Sequence, residues 1–132
     1  MRALDHPFDP AVDIAMVTGA GNGIGRAIAQ ALVGEGVRTL FVDVNPDTVA
    51  AAVAASPRPD LGIAWTSDLA ERAACDALIA HARETLGPVS LFVHSASPPR
   101  RESDHALAVS DDTWMRMRAV NVDAGFHLAR AP

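Results

Sequence analysis

The 132-residue chain contains no lysine and no tyrosine. Without lysine it has no P-loop, since that motif needs a lysine on the nucleotide phosphates. Without tyrosine it has no phenol to carry a proton. The single cysteine, Cys75, excludes an internal disulfide and favours a reducing compartment. No uncharged apolar run approaches the ~20 residues of a membrane span. The opening segment MRALDHPFDP lacks an apolar core and carries two aspartates, so it does not read as a secretory signal. Eleven basic residues, all arginine, face 16 acidic ones for a formal charge of −5, a poor match to nucleic acid or a membrane surface. These absences place the chain in the cytoplasm as an expectation.

What is present describes one globular domain or part of a larger one. Hydrophobic residues make up 49% of the chain, enough for a real core. Residues 1–10 hold two prolines and read as an irregular tail, leaving residues 11–132 for a folded unit. Strands are expected at Val12–Thr18, Val37–Asp43, Leu61–Thr66 and Val89–His94, separated by helical patterns. The first helix puts Ile24, Ile28, Ala31 and Leu32 on one apolar face, and Gly34 and Gly36 supply its stop. Pro46 suits the first turn of the second. The third carries Cys75, Leu78, Ile79, Ala82 and Leu86 on a regular stripe. Ser97 to His105 is a loop. Ser110 then caps a last helix, with Asp111 and Asp112 in the first turn and Trp114, Met117, Asn121, Ala124, Gly125 and Leu128 on one stripe. Strands alternating with helices imply a doubly wound parallel sheet, in the expected order 3-2-1-4, with ligands at the carboxyl ends of its strands.

The strongest motif sits at the first such end. Gly19, Gly23 and Gly25 form Gly-x-x-x-Gly-x-Gly between an apolar strand and a helix. Such a turn aims backbone N–H groups and a helix N-terminus at a pyrophosphate. The bland alternative is an ordinary tight turn. Asp43 closes the second strand eighteen residues after Gly25, matching the spacing of the acidic residue that binds the adenosine ribose. A carboxylate there repels a 2′-phosphate. The following Val44-Asn45-Pro46 is neutral, as is Asn22 in the glycine turn, so NAD is favoured over NADP. A turn or cap role is the alternative for Asp43.

Together Thr18-Gly19-x-x-x-Gly23-Ile24-Gly25, Asp43, Asp68-Leu69 and Asn121-Val122 resemble the short-chain dehydrogenase/reductase superfamily. The resemblance runs from about Val12 to Ala131, over the N-terminal half of that family's usual length. It implies that Asp68 contacts the adenine amino group and that Leu69 meets the ring through its backbone. Capping of the next helix is the alternative for Asp68. The family's Asn-Asn-Ala-Gly segment aligns with His94-Ser95-Ala96-Ser97, where only Ala96 agrees. Ser95 and Ser97 retain hydroxyls for hydrogen bonding, and Ser97 replaces a glycine. Asn121 is the one member of the family's Asn-Ser-Tyr-Lys catalytic set that the chain retains. The resemblance gives it a backbone carbonyl that holds a relay water. A buried structural asparagine is the alternative, since an unpaired polar group there costs roughly 1–3 kcal/mol.

The family's serine, tyrosine and lysine would all lie beyond residue 132. Hydride transfer without a proton partner loses about 10²- to 10⁴-fold. The chain is therefore expected to be a fragment or truncated product, inactive alone. The resemblance implies NAD-dependent hydride transfer to or from a small alcohol or carbonyl substrate, and a homo-oligomer when complete. A non-catalytic NAD-binding module, or a half-domain completed by a partner chain, stays open beside it. The fourth strand would be an exposed edge. No metal site is expected, because no pair of the histidines at 6, 81, 94, 105 and 127 has ligand spacing beside a cysteine or carboxylate cluster. Of the histidines only His94 ends a strand near the expected cofactor; a structural role is its main reading and a catalytic one the alternative. Cys75 reads as a buried inert thiol, and Arg100 and Arg101 as a solvated loop.

Overall fold

The computed structural model describes residues 9–101 and 105–131. Most of the expected N-terminal tail therefore lies outside the described residues. Four strands, β1 (Ile14–Thr18), β2 (Arg38–Asp43), β3 (Gly62–Thr66) and β4 (Leu91–His94), pair in parallel in the order β3-β2-β1-β4. This is the expected doubly wound arrangement. The first strand begins two residues late, because the Val12 and Asp13 amides both donate to the Asp9 carbonyl and close a turn there.

Helices α1 (Gly23–Gly34), α2 (Pro46–Ala54) and α3 (Arg72–Thr85) connect the strands. Asn45 caps α2, its side chain accepting from the Asp47 and Thr48 amides with Pro46 in the first turn. Gly36, at φ 92°, takes the left-handed turn that ends α1, and the Val37 amide returns to the Leu32 carbonyl. Gly34 is still helical, so one of the two expected stop residues does the work. Ser110 caps α4 (Asp111–Arg118) as expected, accepting from the Thr113 amide. A π-helical segment, Ala119–Ala124, joins α4 to α5 (Gly125–Ala129).

Strand alternation divides the core. Met16, Leu40 and Val42 point to one face and meet Leu69, Cys75, Leu78, Ala82, Ala124 and Leu128. Val17 and Phe41 point to the other and meet Ala29, Val33, Val49 and Ala52. Both faces of β1 and β2 are thus dry, which explains their unbroken apolar sequences.

Two helical stripes differ from expectation. On α1 the buried residues are Gly25, Ala29 and Val33, with Ile28 and Leu32 packed beside them. Ile24 is 75% exposed and Ala31 also faces solvent. The helix starts inside the glycine turn, and close packing of Gly25 sets its rotation. On the last helix Val120, Ala124 and Leu128 are buried, while Trp114 is 60% exposed and Asn121 faces solvent. The wider π turns change the residue spacing along that helix, so a stripe drawn at 3.6 residues per turn does not continue through it. The buried structural alternative for Asn121 is overturned on this point.

Candidate dinucleotide site

Parallel register brings the carboxyl ends of the strands together. Thr18 lies opposite Val42 on one side and His94 on the other, and Asp43 lies opposite Thr66. The turn after Thr18 can be built only from small residues. Gly19 sits at φ 68°, and a Cβ there would stand 2.8 Å from the Ala96 backbone. A Cβ on Gly25 would overlap the Gly19 carbonyl oxygen. A Cβ on Gly21 would meet Thr48 Oγ1 at 2.5 Å and Asp43 Cγ at 2.8 Å. Gly23 differs: at φ 54°, nothing among the described residues outside its own helix and chain neighbours lies within 4 Å of where a Cβ would stand. Asn22 precedes α1 without using its side chain as a cap, and both it and Ile24 are exposed. The turn is closed against the sheet and open outward, where a phosphate would sit on the helix N-terminus.

Asp43 is fixed by backbone. Its Oδ2 accepts from the Gly21 amide at 2.9 Å and its Oδ1 from the Asn45 amide at 3.0 Å. Each carboxylate oxygen can still accept another donor. The turn role weighed against a ligand role is therefore present, and it leaves the ligand role room.

A cleft runs from Gly19 and Asp43 past Asp68 and Leu69 to Ala96, Ser97, Pro98 and Arg116. Leu69 is buried against Val42 in its wall. Asp68 does not cap α3. Glu71 occupies that position without a side-chain cap bond, whereas Asp68 Oδ1 accepts from the Ala70 amide. Both Asp68 oxygens accept from Arg116 Nη2, at 3.1 and 3.0 Å. Ser67, also lining the cleft, has a buried hydroxyl without a hydrogen-bond partner among the described residues. A glycine cradle open to the front and an unpaired hydroxyl in the cleft wall fit a polar ligand. The sequence pattern missed Ser67 and Arg116. Arg116 lies 48 residues from its partner, beyond any local signal.

The segment after β4 completes the wall. The Ser95 and Ala96 amides both donate to Thr18 Oγ1, at 3.2 and 3.3 Å. Ser97 Oγ donates to the Pro98 carbonyl, at 3.4 Å. His94 holds Thr18 Oγ1 and the Val120 carbonyl with its two ring nitrogens, both at 2.8 Å. These contacts favour the structural reading of His94. Cys75 is buried with its thiol against the Leu69 carbonyl at 3.6 Å, and burial pushes the thiol up from its ordinary value of 9.0. Among the described residues no group of three or more His, Cys, Asp or Glu side chains is placed to hold a metal ion.

A doubly wound sheet with a glycine turn after β1 and a carboxylate closing β2 defines a dinucleotide-binding domain. The sequence profile of the short chain dehydrogenase family matches residues 13–132, and the chain belongs to that family. It is 37% identical over 121 residues to a galactitol 2-dehydrogenase (L-tagatose-forming) of Cereibacter sphaeroides, covering 89% of this chain and 44% of that protein. It is 31% identical over 119 residues to a 2,3-dihydro-2,3-dihydroxybenzoate dehydrogenase of Bacillus subtilis (strain 168), covering 89% and 45%. A metagenomic short-chain oxidoreductase solved in complex with NADP superposes with a TM-score of 0.79 at 27% identity, covering 90% of this chain and 54% of that one. The chain thus spans about half the length of the relatives it matches. The family is one of oxidoreductases that use nicotinamide dinucleotides.

Proposed function

We propose that the chain supplies the cofactor-binding half of an NAD-dependent oxidoreductase, which moves hydride between NAD(H) and an alcohol or carbonyl substrate. The observation that carries this reading is the carboxylate of Asp43, held by the Gly21 and Asn45 amides at the end of β2. It faces the cleft as a fixed negative charge, suited to ribose hydroxyls and hostile to a 2′-phosphate. Arg116, a cation lining the same cleft, has its guanidinium engaged by Asp68. NADP is the less favoured cofactor on these grounds.

The residues divide the binding as follows. The Gly19–Gly25 turn, with Asn22 and Ile24 on its open side, receives the pyrophosphate. Asp43 accepts from the adenosine ribose. Asp68 and Leu69 face the adenine, with Ser67 beside them. Ser95 and Ala96 form the floor toward the nicotinamide, and Asn121 is the chain's contribution to the catalytic end. The bound nicotinamide would supply or receive hydride. The site uses no metal in this reading.

The absence of lysine and tyrosine favours a second reading for these 132 residues by themselves. They bind NAD without turning over, as a module or as a half-domain completed by a partner chain. A homo-oligomer is proposed for the complete enzyme, supported by exposed Trp114, Met115, Val122 and Phe126 along α4–α5. Among the described residues no helix is long and apolar enough to cross a membrane, and a cytoplasmic location belongs to the same proposal. The test is calorimetric titration with NADH and NADPH, followed by an assay for alcohol-dependent NADH formation. Tighter binding of NADH without turnover supports both readings. Tighter NADPH overturns the assignment of Asp43.

A further inference from the structure

His94 joins two parts of the site that are far apart in sequence. Thr18 lies opposite it in the β1–β4 register, and the glycine turn begins at the next residue. On the other side of the ring stands Val120, within the π-helical segment Ala119–Ala124. The neighbouring residue, Asn121, faces solvent. Gly125 gives the ring its space: a Cβ there would stand 3.0 Å from His94 Cδ2.

The proton positions follow from the partners. A carbonyl only accepts, so His94 Nε2 carries a hydrogen and donates it to Val120 at 2.8 Å. In a neutral imidazole Nδ1 is then bare and accepts from the Thr18 hydroxyl, also at 2.8 Å. Thr18 Oγ1 in turn accepts from the Ser95 and Ala96 amides. Donation runs one way, from the strand-end amides through Thr18 and His94 to the helix carbonyl, and no donor is left over. A side chain reaching into the hydrogen-bond ladder is one cause of helix bending, and π turns recur at functional sites.

We propose that His94 is a positioning residue that couples the glycine turn to the segment carrying Asn121, by pinning the Val120 carbonyl to Thr18 through its Nε2–H tautomer. It touches neither cofactor nor substrate. The coupling rests on the dinucleotide reading, whereas the pinning does not.

The test uses the protein labelled with ¹⁵N. Imidazole ¹H–¹⁵N correlations are recorded without ligand, and backbone amides of residues 119–124 are followed through an NADH titration. Wild type is compared with His94→Leu, Thr18→Val and Thr18→Ser. The expected imidazole is protonated at Nε2 and bare at Nδ1 in wild type and Thr18→Ser. NADH is expected to move the Val120 and Asn121 amides in both. In His94→Leu and Thr18→Val those shifts should shrink at least threefold, while the Gly21 and Gly23 amides still report binding. Thr18→Val keeps the test decisive where His94→Leu fails to fold. A wild-type imidazole without a hydrogen on Nε2 overturns the pinning. Undiminished shifts in Thr18→Val overturn the coupling. If NADH moves no glycine-turn amide in wild type, the dinucleotide reading falls and the coupling with it. A fixed Nε2–H tautomer in that same sample still supports the pinning.

Discussion

The Gly21 amide donates to Asp43 Oδ2 at 2.9 Å across 22 residues of sequence. One carboxylate thereby ties the turn after β1 to the end of β2. A Cβ on Gly21 would stand 2.8 Å from that carboxylate, so the bond exists because position 21 is glycine.

Asp43→Asn keeps the size of this group and removes its charge. Hydrogen bonds to a charged acceptor contribute about 1.5–3 kcal/mol, and each 1.4 kcal/mol is tenfold in affinity. NADH binding should weaken about 10- to 100-fold, while NADPH binding should hold or tighten as repulsion of the 2′-phosphate disappears. Parallel calorimetric titrations of both cofactors measure this. Equal losses for the two would show that Asp43 acts only on the turn.

The glycines separate by what surrounds them. Gly19→Ala combines φ 68° with a 2.8 Å approach to the Ala96 backbone. A strained residue of this kind costs about 1–3 kcal/mol before any clash is counted, so the melting temperature should drop by several degrees. Gly34→Ala is the control. It lies at the end of α1, and among the described residues a Cβ there would meet Pro57 alone, at 3.7 Å. Alanine in a helix gains about 0.5–1 kcal/mol over glycine, so that variant should melt higher. Melting curves moving the same way would contradict the geometry.

Local pattern made most of the fold legible and only part of the site. Apolar strands, the glycine turn and Asp43 all announce themselves within a few residues, so the sheet order and the turn that follows β1 could be read directly. The rest depends on partners far along the chain. For Asp68 the local alternative to an adenine contact was the cap of the helix that follows, yet its carboxylate faces Arg116, 48 residues on. His94 looked like a strand end near a cofactor, yet both ring nitrogens are committed across 76 and 26 residues. Asn121 was placed on a buried stripe because the stripe assumed an unbroken α-helix. The π segment breaks that period.

Asp68 and Arg116 are 40% and 50% exposed, so their ion pair adds little to stability, about 0–1 kcal/mol. It does close the Asp68 end of the cleft by linking the β3–α3 turn to α4. Arg116→Met should leave the melting temperature within a degree or two and weaken NADH several-fold. Raising the salt concentration should reduce the wild-type advantage, because exposed charges are screened. An unchanged dissociation constant in Arg116→Met would remove the pair from the binding site.

Cys75 yields a prediction whose sign can be worked through. Its thiol is pushed above the ordinary 9.0, chiefly by burial, with the Asp76 charge adding to the effect and Arg72 opposing it. The native state therefore holds the thiol proton more tightly than the unfolded chain. As pH rises past about 9 the unfolded chain ionises first, and stability falls because the native state binds more protons. Below pH 8 both states keep the proton and the term vanishes. Urea midpoints should show wild type above Cys75→Ala by about 1 kcal/mol at pH 7.5, with the gap narrowing toward pH 10. Because the thiolate is the reactive form, iodoacetamide should label native Cys75 slowly at pH 8 and rapidly in urea. Native labelling at the unfolded rate would mean that α3 opens far more often than its packing on Met16, Leu40 and Leu69 implies.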